Sequence, residues 1–201
     1  MILGKAGDQP LGGQFHGHQA GQPERRPHDG GVDILVFGKG VGGGFPLAGV
    51  LASSALTGFQ PGDEALTFGE FPVSLAAGLA ALHVLRRDGL LKACAEMGQY
   101  ASRALRAMQP RHPLIGDIRG PGLLIGIELV RDRETREPAP AETLEVYRRA
   151  MDLGVIFGTT RYAGLGNVLK VKPPFTISRD QMDRVLDVLD QVLTAVENRK
   201  R

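Results

Sequence analysis

The sequence predicts an α/β chain built from two unlike regions: a strand, turn, strand and helix first, and an α+β unit after them. Three patterns predict it. Two short apolar runs of β-favouring residues flank a glycine-rich turn, two helical repeats follow between residues 72 and 108, and from residue 114 short strand-like runs alternate with two amphipathic helices. The 201 residues are 42% hydrophobic, with 24 Lys and Arg against 22 Asp and Glu, which suits a globular chain able to bury an ordinary core. The net charge of +2 is scattered without a basic stripe, so nucleic acid is not an expected partner. Cys94 has no second thiol to pair with, which points to a reducing compartment. No apolar run reaches the roughly 20 residues of a membrane-spanning helix. A cytoplasmic location without membrane association is the expectation.

Residues 1–31 are rich in Gly, Pro, Gln and His and nearly free of periodic apolar positions, so they are expected to be irregular or disordered. His16 and His18 lack companion ligands of suitable spacing, and no metal site is expected there. Organised sequence begins at Asp33: Ile34-Leu35-Val36-Phe37, closed by Gly38, reads as a buried strand, and 47–52 as a second. Pro72 suits the first position of a helix over 72–87, whose alanines permit close packing. A second helix over 90–108 stops at Pro110 and Pro113. The domain boundary is expected at about residue 110, giving a piece over 32–110 and a smaller α+β domain over 111–201. In the latter, 114–119 and 123–130 form a hairpin around Gly120-Pro121-Gly122, and 142–153 a helix ending at Gly154. Residues 155–157 and 168–171 are read as strands, the second ended by Pro173-Pro174. Ser178 and Gln181 form a capping box that opens a last helix with an apolar stripe from Met182 to Val196.

The chemistry centres on Gly38-Lys39-Gly40-Val41-Gly42-Gly43-Gly44. Glycines let backbone amides approach a phosphate or a planar cofactor, and a lysine held at a strand end between two of them can form a Schiff base with a carbonyl cofactor. A flexible turn with a solvated lysine fits the same letters. Gly38, Gly40 and Gly43 also satisfy a dinucleotide fingerprint, but that motif opens directly into a helix. Here Phe45-Pro46 leads into a strand-like run, and Asp63 or Glu64, at the ribose-carboxylate distance, sits in a polar loop. A P-loop is excluded, because Lys39 is followed by Gly40 rather than Ser or Thr.

Asp33 to Ser53, DILVFGKGVGGGFPLAGVLAS, resembles the lysine segment of the class III aminotransferases, pyridoxal-phosphate enzymes of fold type I. The resemblance continues through Leu66-Thr67-Phe68-Gly69, through Ile118-Arg119-Gly120-Pro121-Gly122-Leu123 with Gly126-Ile127-Glu128-Leu129, and through Asn167 to Ser178, NVLKVKPPFTIS. It covers about residues 33–198 and corresponds to the C-terminal half of a family member. It implies part of a fold type I large domain followed by the α+β small domain. It further implies that Lys39 forms the Schiff base with pyridoxal 5'-phosphate and shuttles the substrate proton, and that Thr67 binds the cofactor phosphate across a homodimer interface. Lys170 stands where many members carry an arginine for the substrate carboxylate; lysine cannot grip a carboxylate bidentately as arginine does. Read from the residues alone, Thr67 is an ordinary loop hydroxyl, and a simple strand-end lysine accounts for Lys170 at least as well.

The implied reaction transfers an amino group from an amino acid or amine to a 2-oxo acid or aldehyde, so the expected partners are a small-molecule amino donor and an oxo acceptor. The family's phosphate loop, its cofactor-stacking aromatic and the aspartate that holds the pyridine nitrogen protonated have no counterpart in the sequence, and Glu70-Phe71 replaces the expected Gly-Asn. The chain is therefore read as a truncated member. The alternative is a catalytically inactive remnant or dimerisation module.

Overall fold

The computed structural model describes residues 33–52, 56, 67–69, 71–159 and 166–200. The expectations for residues 1–31, including His16 and His18, and for Asp63, Glu64 and Glu70 lie outside them. The chain divides after Leu90 into two compact units. The expected domain boundary at about residue 110 differs from this division by the length of one helix, whose apolar face belongs to the second unit's core. No described helix is long and apolar enough to cross a membrane.

In the first unit, β1 (Ile34–Phe37) pairs antiparallel with β2 (Gly49–Ala52), Val36 opposite Val50 and Phe37 opposite Gly49. The Phe37 ring lies over the glycine at 49, where an added Cβ would come within 2.4 Å of the ring tip and make the ring shift. The sequence reads β1 as buried, and the structure corrects this: Ile34 is 54% and Val36 72% exposed. An apolar strand needs a layer on each face to be buried, and among the described residues β1 has β2 as its one ladder neighbour. Helix α1 (Pro72–Arg87) starts with proline at its first position, as expected.

The second unit holds a four-stranded antiparallel sheet of β3 (Ile115–Arg119), β4 (Ile125–Leu129), β5 (Gly158–Thr159) and β6 (Val168–Val171), in the order β3-β4-β6-β5. Helices α2 (Leu90–Met108), α3 (Pro140–Asp152) and α4 (Arg179–Glu197) complete it. The sheet's inner positions, Ile125, Ile127, Leu129, Leu169 and Val171, join Leu105 of α2, Val146 of α3 and Leu189 of α4 in one buried cluster. A register shift between Ile115 and Asp117 lets both Ile115 and Ile118 turn inward, since an extra residue resets the alternation of sides. Residues 155–157 are not a strand; among the described residues β5 is Gly158–Thr159. Continued pairing would set Val155 opposite Pro173, which has no N–H to donate, although Val155 and Phe157 are buried. The capping box is present: the Ser178 hydroxyl accepts from the Gln181 N–H, and the Gln181 side chain accepts from the Ser178 N–H.

Helix α2 crosses the β3–β4 turn in backbone contact. A Cβ at Gly98 would lie 2.2 Å from the Gly122 carbonyl oxygen, and Gly122 itself has a left-handed φ of 51°. Gly98→Ala is therefore expected to destabilise the second unit by about 1–3 kcal/mol, because backbone cannot move aside as a side chain can; thermal unfolding measures this.

The C-terminus of α4 is pinned by a buried histidine. His112, 2% exposed, has Nδ1 2.9 Å from Glu197 Oε2 and Nε2 2.6 Å from Asp190 Oδ1. Glu197 Oε1 accepts from the Leu114 N–H at 3.0 Å, and Arg111 lies 3.2 Å from Asp190. The His112 hydrogen bond, aided by Arg111 and opposed by desolvation, holds the Asp190 carboxyl below the usual carboxylate range. A carboxyl lowered by folding stabilises fully above its unfolded value of about 3.9, and that contribution is lost as the pH falls through the folded value. Urea unfolding across the acid range is expected to show this loss, and His112→Gln to flatten it.

Candidate active site

Lys39 sits where the chain leaves β1. Gly38 is extended, and Lys39–Gly42 then form a single 3₁₀ turn, in which the Gly43 N–H donates to the Gly40 carbonyl at 3.1 Å. Lys39 has φ +54°, a left-handed conformation that costs a residue with a Cβ about 1–2 kcal/mol. Among the described residues only Arg136 shares this among non-glycines. Such strain marks segments whose geometry the surroundings impose, and it concentrates at functional sites.

Helix α1 packs directly on this turn. A Cβ at Gly78 would meet Leu47 Cδ2 at 2.4 Å and the Val41 carbonyl oxygen at 3.4 Å, so the helix approaches closely because residue 78 has no side chain. Gly42 is buried beneath Leu47, and Gly43 (φ +59°) and Gly44 (φ +110°) carry the chain out of the turn in conformations that favour glycine. The turn leads into β2 rather than a long helix, in agreement with the sequence argument against a dinucleotide fold. The Lys39 side chain is exposed and makes no ion pair with another described residue.

Thr67 belongs to the same unit. It is exposed at the start of a turn whose Phe68, 80% exposed, meets Phe71 edge to face at 6.4 Å just before α1.

Lys170 belongs to the second unit. Leu169 and Val171 point to the core, so Lys170 points to the opposite face of the sheet. Its cross-strand neighbours are both glycines, Gly126 on β4 and Gly158 on β5. Lys170 lines a cavity of about 310 Å³ together with Lys172, Gly158 and the apolar residues Val155, Phe157 and Val185. Sequence reasoning passed over Lys172. Lys172 lies one residue beyond β6, and its placement beside Lys170 follows from the register that sets Gly158 opposite Lys170.

Comparison with known proteins places these features. The family model for class III aminotransferases matches residues 27–193. The chain is 36% identical over 179 residues to a mitochondrial alanine–glyoxylate aminotransferase 2 homologue of Arabidopsis thaliana, a match covering 89% of this chain and 36% of the relative. It is 38% identical over 166 residues to a leucine/methionine racemase of Thermococcus litoralis, covering 82% of this chain and 37% of the racemase. A solved aminotransferase of Bacillus anthracis superposes with a TM-score of 0.75 at 32% identity, over 81% of this chain and 39% of that one. The chain thus spans less than two fifths of the length of these relatives. With the match running unbroken from before Lys39 to the last helix, through both units, the chain belongs to the class III aminotransferase family.

Proposed function

We propose that this chain is part of a fold type I, pyridoxal-phosphate-dependent aminotransferase in which the Nζ of Lys39 attaches the cofactor covalently. The reaction is transfer of an amino group from an amino acid or amine to a 2-oxo acid or aldehyde. The observation that carries the reading is a lysine in a left-handed conformation within a glycine-rich turn on which a helix packs, exposed and free of ion pairs among the described residues. The residues present suit the cofactor. A carbonyl needs a primary amine to condense with, and a Cβ at Gly40, Gly43 or Gly44 would meet nothing within 4 Å, so the surface beside the lysine is open backbone. A solved amine transaminase from an uncultivated Pseudomonas species, at TM-score 0.73 and 26% identity, is in a pyridoxal-phosphate-bound form.

When bound, the cofactor supplies an electron sink that lets the amine-bearing carbon lose a proton. The chain's own contribution is Lys39 Nζ. With the cofactor held there, the Lys39 amine would take the proton from that carbon and redeliver it, as general base and then acid. Return of a proton to the opposite face of that carbon would racemise, whereas transfer would require Lys39 to carry the proton away from it. The aminotransferase name of one relative favours transfer, and the racemase name of another keeps racemisation as the alternative outcome. Thr67 is proposed to bind the cofactor phosphate within a homodimer, and Lys170 to hold a substrate carboxylate.

The competing reading is an inactive remnant or dimerisation module. Absorbance of the purified chain with pyridoxal phosphate separates the two. The proposal expects a visible band that is absent in Lys39→Ala; no band, or one equal in the variant, supports the remnant.

A further inference from the structure

We propose that Lys172 and Lys170 together form a two-cation subsite for a doubly negative oxyanion, a phosphoryl group, on the outer face of the second unit's sheet. Assigning that group to the amine substrate rests on the proposed function; the binding itself does not.

Lys170 lies in β6 and Lys172 one residue beyond its end, and both side chains lie against Gly158. They line one cavity of about 310 Å³ whose lining contains no acidic residue. The floor between them is glycine. A Cβ at Gly158 would lie 2.9 Å from Lys172 Cε and 3.1 Å from Lys170 Cβ, so Lys172 lies across a strand that has no side chain at that point. Gly126, on the other side of Lys170, likewise leaves its flank clear. The acidic group on this face of the neighbouring strand is Glu128, and Arg119 engages it at 2.6 Å. Neither lysine forms an ion pair with a described residue, so two positive charges are left facing one concave surface.

Buried Val155 and Phe157 back the cavity and reduce its contact with water on one side, which strengthens the field of both ammonium groups there. Lysine suits a phosphoryl group as a point charge and does not need the bidentate geometry that favours arginine for carboxylates. A dianion matches the two charges and a monocarboxylate matches one, so Lys172 selects by charge where Lys170 alone would not.

The test titrates inorganic phosphate, and separately acetate at equal ionic strength, into the full chain without pyridoxal phosphate, following backbone amide shifts by NMR. Saturable shifts centred on Gly158 and Lys170 to Lys172 are expected, with phosphate binding at least about tenfold tighter than acetate. Lys172→Gln is expected to remove that preference, Lys172→Arg to retain it, and Lys39→Ala to leave it unchanged, which separates failure here from failure of the cofactor assignment. Equal binding of the two anions, shifts elsewhere on the surface, or undiminished preference in Lys172→Gln would overturn the proposal.

Discussion

The Lys39→Ala chain is expected to lose exchange of an amino acid's α-proton with solvent deuterium by about a hundredfold to ten-thousandfold, the range general acid–base groups contribute. Proton NMR of the amino acid measures it in the pyridoxal-phosphate-loaded protein. The size follows from the lysine serving twice, as the cofactor's covalent anchor and as the base that moves the proton. Lys39→Arg should fail as completely, because a guanidinium stays protonated and is neither nucleophile nor base in this range. Added methylamine should restore part of the exchange in Lys39→Ala, since a small free amine replaces the chemistry but not its positioning. Folding should be unaffected: the side chain is exposed, and removing it takes away no ion pair among the described residues.

The largest effect on stability is expected from Ile127→Ala. Ile127 is wholly buried on β4, opposite Ile118 of β3 on one side and Leu169 of β6 on the other. Truncating it at the centre of the sheet removes buried apolar surface and leaves a cavity bounded by strands that are hydrogen-bonded on both sides and cannot close in. A cost of about 2–5 kcal/mol is expected, read as a fall in the urea midpoint. That is a large share of the roughly 5–15 kcal/mol that holds a typical domain folded. Ile156, 75% exposed beside the same unit's cavity, is the control: its alanine variant should change stability by no more than about 0.5 kcal/mol.

Much of the fold was legible because its cues are local. Pro72 at a helix start, the Ser178 and Gln181 capping box and the Gly120-Pro121-Gly122 hairpin turn each act within a few residues, and each stands where the sequence puts it. What failed depended on partners. Val155-Ile156-Phe157 has a strand's composition, but Val155 would have to pair with Pro173, far along the chain, and the ladder stops at Gly158. Ile34 and Val36 look like core residues, and only the layers around them decide whether they are. Gly78 and Gly98 are two more small residues in helical repeats until the backbone each must pass is known.

The candidate site divides in the same way. Lys39 stood out because lysine between glycines after an apolar strand is a local pattern. Its left-handed backbone did not, since a positive φ at a lysine has no local signature in the sequence. Lys172 was missed because its meaning comes from sharing a cavity with Lys170 across Gly158, and a strand register was needed to see it.

The central claim is that Lys39 is the residue to which pyridoxal phosphate attaches. Borohydride reduction of the chain with the cofactor, followed by proteolysis and mass spectrometry, tests it most directly. The account predicts a pyridoxyl label at Lys39 in the peptide spanning the glycine-rich turn, with no comparable label elsewhere. A label spread over surface lysines, or concentrated on another residue such as Lys170 or Lys172, would contradict it.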